Sequence, residues 1–137
     1  MRVNVYEKIF FVHVERTKIK ELTMTTLAHE KLDVYQCAIE FVSYTTKITQ
    51  NLPESDVKLA QRLYALSVEI PINIVDAVSC SDNEKSKECY RKARKLAMES
   101  GVILDVFRVR KVVEDKIFYD GKSLLSRIIS MLTKLVI

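Results

Sequence analysis

The chain predicts an all-α fold, an antiparallel up-down-up-down four-helix bundle, and three observations carry that expectation. Glycine and proline number only two each in 137 residues, too few for the φ > 0 corners that sandwiches and barrels need. Apolar residues recur at spacings of three and four along most of the chain, the signature of helices with one face turned inward. The interruptions of that rhythm are short, so consecutive helices become antiparallel neighbours. A hydrophobic share of 48% against 29% charged marks a globular chain, and the length suits a single core.

The first bundle helix is predicted over residues 32–52, with Val34, Ala38, Phe41, Thr45, Ile48 and Leu52 inward once the threonine is tolerated. Pro53 ends it, because the residue before a proline is biased away from the helical region. Ser55 is the expected N-cap of a second helix over 56–78, with Asp56 in the first turn near the positive dipole end. Its inner face reads Ala60, Leu63, Ser67, Ile70, Ile74 and Ala77. Pro71 lies inside it, and an interior proline removes a backbone hydrogen bond, so a kink or local break is expected near 67–71.

The polar cluster 79–83 reads as a tight connection. A third helix follows over 83–112, with Cys89, Ala93, Leu96, Ser100, Leu104 and Phe107 inward and Gly101 in its interior, either at a close helix approach or simply tolerated. Residues 114–121 break the rhythm, and Asp120-Gly121 reads as a turn. Leu125, Ile128, Leu132 and Leu135 then form a fourth helix, its apolar stripe widened by Leu124 and Met131. Residues 27–137 thus make the bundle, and residues 1–26 are an N-terminal extension that the rhythm does not place.

Composition narrows the function classes. No apolar run reaches the 18 to 20 residues of a membrane span, and charged residues crowd the short apolar run at 9–12 too closely for a secretory signal. A cytoplasmic protein is expected. Cys37, Cys80 and Cys89 lack CxxC spacing, and His13 and His29 cannot complete a zinc set, so the thiols read as buried or idle. No metal or other cofactor is expected. Neither a Gly-rich phosphate loop nor GxSxG nor HExxH occurs, and no Glu-x-x-His pair suggests a di-iron bundle, so no enzyme and no catalytic residue is expected. His29, Glu30 and Lys31 stand just before the first helix, where capping or solvation outweighs a small acid/base site. Asn73 and Asp76 are placed to satisfy backbone groups freed by Pro71, with a binding role as the weaker alternative.

The charge of +4 is unevenly spread. Residues 84–111 hold nine basic and four acidic side chains, a local surplus of +5. Within them Lys87, Arg91, Arg94 and Lys95 share one helix face. Such a stripe can follow phosphates. The bland alternative is a solvated face on which Glu84, Glu88 and Glu99 make ordinary ion pairs. Leu59, Leu66 and Val68 fall off the inner stripe of the second helix and would be wet in a monomer, which predicts a homo-oligomer. A rival reading uses Leu59, Leu66 and Tyr64 to dock a different protein.

Two stretches also carry a resemblance. His29-Glu30-Lys31-Leu32-Asp33-Val34-Tyr35 and Ser67-Val68-Glu69-Ile70-Pro71-Ile72-Asn73-Ile74 resemble the four-helix-bundle proteins encoded by intervening sequences of bacterial 23S ribosomal RNA genes. Lys87-Glu88 and Met131-Leu132-Thr133-Lys134-Leu135 look like that family's third and fourth helices. Val75-Asp76-Ala77 replaces the family's usual alanine, glutamate and glycine, which implies a longer second helix or a different turn, and Cys89 stands where an aromatic residue is usual. The resemblance implies no catalytic residue. Through the family's similarity to the accessory variability protein of diversity-generating retroelements, it implies a pentameric ring that contacts RNA or a ribonucleoprotein.

Overall fold

The computed structural model describes residues 26–137, with side chains from Asp33 onward. Helix α1 spans Thr26–Thr49, a single 3-10 turn covers Glu54–Asp56, and α2 (Val57–Ser79), α3 (Asn83–Val109) and α4 (Asp115–Leu135) follow. Each helix packs on the next and α4 packs back on α1, which closes a four-helix bundle. Expectations for residues 1–25, His13 included, lie outside the described residues. None of the described helices is long and apolar enough to cross a membrane.

The predicted inner faces of α1 and α2 are the observed ones. Val34, Ala38, Phe41, Thr45 and Ile48 of α1 are buried, with Leu52 beyond the helix half-buried, as are all six predicted positions of α2. Full burial of a side chain the size of Leu63 or Ile70 stabilises by about 1.5–3 kcal/mol. The two polar members of the stripes satisfy each other: Thr45 Oγ1 and Ser67 Oγ lie 3.0 Å apart. Ser67 also donates to the Tyr64 carbonyl at 2.7 Å. A buried hydroxyl needs such a partner.

Several boundaries differ from expectation. Helix α1 starts at Thr26, so His29, Glu30 and Lys31 lie within it rather than before it. Helix α2 runs through Pro71 without a break, because the ring sits fully packed inside the bundle and tertiary contact outweighs one missing hydrogen bond. Asn73 does not serve the carbonyl that Pro71 frees. Its Nδ2 donates to the Glu69 carbonyl at 2.8 Å, and Asp76 is exposed. Ser55 is not the N-cap of α2 either: Asp56 holds that position and its carboxylate makes no capping bond.

That carboxylate serves a longer connection. Arg110, just past α3, places Nε 2.5 Å from Asp56 Oδ1 and Nη2 3.3 Å from Oδ2. The guanidinium hydrogen bond holds the Asp56 carboxyl below the usual carboxylate range, against burial that pushes the other way, with the Arg110 charge and a Ser55 hydrogen bond assisting. At the other end of the same helix pair, Ser86 Oγ donates to the Ala77 carbonyl at 2.8 Å. Both ends of the α2–α3 pair are therefore tied.

Helix α3 ends three residues earlier than predicted. Lys111 takes a left-handed φ of 58°, Lys111 N donates to the Arg108 carbonyl at 3.0 Å and Val112 N to the Phe107 carbonyl at 3.2 Å. These are the paired bonds of a Schellman stop, with lysine where glycine is usual. Its inner face is also wider than predicted. Cys89 and Leu96 are half-buried, while Tyr90, Ala97, Gly101 and Ile103 are buried instead.

The largest correction concerns 114–121. This segment opens α4, and Asp120-Gly121 is helical, not a turn. Phe118 and Gly121 are core positions. A Cβ on Gly121 would stand 2.6 Å from Tyr44 Cε1 and overlap the rest of that ring's edge. Tyr44 OH donates to the Ile117 carbonyl at 2.7 Å. The glycine therefore admits an α1 aromatic onto the α4 backbone.

Candidate nucleic-acid interface on the third helix

Helix α3 is well started. Asp82 Oδ1 accepts from Glu84 N at 2.9 Å and Lys85 N at 3.1 Å, which satisfies two of the orphan donors of the first turn. Tyr90, Ala93, Ala97, Ser100, Leu104 and Phe107 then bury one face. The helical period turns Arg91, Lys95, Met98, Val102, Val106 and Val109 to the opposite side, and all six are exposed.

The four predicted cations do not stand alike. Lys87 is half-buried, its Nζ 4.0 Å from Glu84 Oε1. Arg91 reaches Glu88 Oε2 at 3.4 Å. Arg94 leans toward α4, where its Nη1 lies 3.4 Å from Thr133 Oγ1. Lys95 is exposed and makes no ion pair among the described residues. Glu84 and Glu88 thus engage two of the four cations, each one helical turn away. Exposed pairs of this kind contribute only about 0.2–1 kcal/mol, so a competing anion can displace them.

The same face continues in a different chemistry. Past Lys95, Met98 (57% exposed), Val102 (60%), Val106 and Val109 (81%) form an apolar stripe on the outer side of α3. Met98 and Val102 also border a cleft of about 540 Å³ against Ser126, Ile129 and Ser130 of α4. Beside it, Lys122 is held by Asp105 at 2.9 Å. The outer face of α3 is therefore basic in its first half and apolar in its second.

The residues expected to be wet in a monomer are arranged otherwise. Leu59 and Leu66 are half-buried against the core and Val68 is half-buried too, whereas Tyr64 of the docking reading is exposed, joined on α2 by Val57, Ile72, Val75 and Val78. Leu59 and Leu66 lie near enough to the inner stripe for neighbouring side chains to cover them. Met98, Val102, Val106 and Val109 continue the basic stripe at spacings of four, four and three, and carry no charge by which such a stripe is followed in sequence.

A second cleft, of about 720 Å³, lies between α1 and α4 beside the α3–α4 connection. Tyr44 and Ile48 line it from α1 and Leu52 from just beyond that helix, with Val113, Ile117 and Leu124 across from them. Glu40, Lys47, Glu114 and Asp120 stand around it. Burial, with Asp120 adding, pushes the Tyr44 phenol above its ordinary range, so it remains a neutral donor to Ile117. Cys37 is buried in the core, and burial likewise raises its thiol. Cys80 and Cys89 are half-buried free thiols.

No curated protein matches the chain closely enough to be named as a relative. The family described as 23S rRNA-intervening sequence protein matches over residues 30–134, the whole bundle from early α1 to the end of α4. With a helical core and a two-part α3 face built on that span, the chain belongs to the 23S rRNA-intervening sequence protein family.

Proposed function

We propose that this protein is a non-enzymatic, cytoplasmic homo-oligomer, a pentamer, that contacts RNA or a ribonucleoprotein through the basic half of the α3 outer face. The observation that carries the reading is the division of that face. Lys87, Arg91, Arg94 and Lys95 spread over about 12 Å of helix, enough to meet several phosphates, and the apolar half beside them asks for burial against protein. One half suits a polyanion and the other a subunit.

Repetition around a ring multiplies the weak contacts of each copy, since tethered sites act at high effective concentration. Contact with phosphates releases counterions, so the logarithm of affinity falls about linearly with the logarithm of salt. Filter binding of structured RNA by the parent and by Arg91→Glu/Lys95→Glu tests this. The double variant should bind more weakly and flatten the salt slope by about 1.4 to 1.8, the share of two phosphates. Equal retention by parent and variant at low salt overturns RNA contact through this face. The scaffold reading, in which the bundle docks a different protein, then takes its place, favoured by the exposed Met98–Val109 half.

A further inference from the structure

Oligomers with five-fold symmetry need two different surfaces that fit each other, because a patch that pairs with itself closes after two copies. The molecule carries such a pair. We infer that the apolar half of the α3 outer face of one copy seats in the α1/α4 cleft of the next, a head-to-tail contact that rests on the oligomer reading above and specifies its interface.

Shape comes first. Met98, Val102, Val106 and Val109 form a convex stripe about 16 Å long at 1.5 Å per residue. The cleft runs along α1 from Glu40 to Ile48, about 12 Å by the same measure, and continues past the helix end to Leu52. Its apolar lining comes from Tyr44, Ile48 and Leu52 on one side and Val113, Ile117 and Leu124 on the other, with polar and charged side chains between them. An apolar helix ridge in an apolar groove is a recurrent mode of protein docking.

Charge agrees with shape. Glu40, Glu114 and Asp120 make no ion pair among the described residues, and Glu114 precedes α4 without a side-chain capping bond. Lys95 lies one turn before Met98 and is likewise without an ion pair. When the stripe enters the groove, Lys95 arrives at a rim where the carboxylates of Glu40, Glu114 and Asp120 outnumber the one cation, Lys47, while Lys87, Arg91 and Arg94 stay outside. The two halves of the α3 face then serve different partners without competing.

Connectivity excludes the chain's own stripe. Helices α1 and α3 do not pack on each other within the bundle, so a chain cannot seat its own stripe in its own cleft. A second copy supplies it. The exposed apolar residues of α2, Tyr64, Ile72 and Val75, are not assigned to this contact.

The test is light scattering after gel filtration at tens of micromolar. Met98→Glu/Val102→Glu changes the stripe alone, and Ile117→Arg changes the cleft alone, all at exposed positions. The parent should elute as a multiple of the 15.9 kDa chain, each variant as the monomer, and an equal mixture of the two variants at twice the monomer mass, because each retains the half the other lost. A monomeric parent overturns the oligomer reading and this contact with it. An oligomeric parent whose variants keep its mass overturns only the contact. Monomeric variants whose mixture stays monomeric exclude a head-to-tail arrangement. Should a variant lose its helical circular dichroism, a photo-crosslinking benzoylphenylalanine at Val102 of the full chain decides the matter: crosslinks to peptides holding residues 40–52 or 112–124 support the contact, and crosslinks only elsewhere overturn it.

Discussion

Gly121 and Gly101 are the two glycines of the chain, both inside helices and both buried against a neighbouring helix, yet their surroundings differ. At Gly121 an added Cβ meets the Tyr44 ring and finds its hydroxyl at 2.5 Å. At Gly101 it would meet Leu125 Cδ1 and Lys122 Nζ at 3.7 Å, ordinary contact distances. The first glycine is a structural requirement of the α1–α4 approach. The second is a tolerated cost, since glycine destabilises a helix interior by about 1 kcal/mol relative to alanine.

The sharpest way to break this comparison is Gly121→Ala. It should destabilise the bundle by roughly 1–3 kcal/mol, the usual range for overpacking, read as a lower midpoint in urea. Tyr44 cannot step aside without leaving the Ile117 carbonyl. In a Tyr44→Ala background the same substitution should cost little, so a double-mutant cycle should show strong coupling. Additive costs would show that Tyr44 is not what Gly121 accommodates.

Gly101→Ala should move the other way, a gain of about 1 kcal/mol from helix propensity and a less flexible unfolded chain. A loss would mean that α3 and α4 approach more tightly at Leu125 than 3.7 Å implies.

Lys111 is the converse case, a lysine at φ 58° where a glycine is absent. Lys111→Gly relieves about 1–2 kcal/mol of left-handed strain but returns roughly 0.5–1 kcal/mol as added freedom of the unfolded chain. A net gain of about half a kcal/mol is expected in thermal unfolding, smaller than that of Gly101→Ala.

The last effect is one of pH dependence and belongs to the neighbouring Asp56–Arg110 pair. Asp56 titrates lower in the folded protein than in the unfolded chain, so its contribution is present above the unfolded value of about 3.9 and is lost as pH falls through the folded one. Asp56→Asn should therefore make the acid limb of a stability profile shallower below about pH 4. An unchanged acid limb would show that the pair does not hold the α2–α3 end.

The candidate interface was legible in part. Lys87, Arg91, Arg94 and Lys95 follow from spacing alone, and so does their proximity to Glu84 and Glu88. Their continuation into Met98, Val102, Val106 and Val109 was equally periodic, but a search for charge ends where charge ends. The α1/α4 cleft was not legible, because its walls come from residues some seventy positions apart, brought together by packing and not by any local pattern.

What the sequence by itself determined is the inner faces of α1 and α2. A period of three to four marks a helix surface regardless of its neighbours, so Val34 to Ile48 and Ala60 to Ala77 could be assigned before any packing was known. What only the tertiary structure decided is how local breaks are answered. Pro71 continues a helix, Asp120-Gly121 is not a turn, Asp56 binds Arg110 instead of capping, and Lys111 stops α3. In each case a local preference of one to a few kcal/mol competes with contacts made across the bundle. Those contacts depend on which helix lies opposite, and one strand of sequence does not contain that distance.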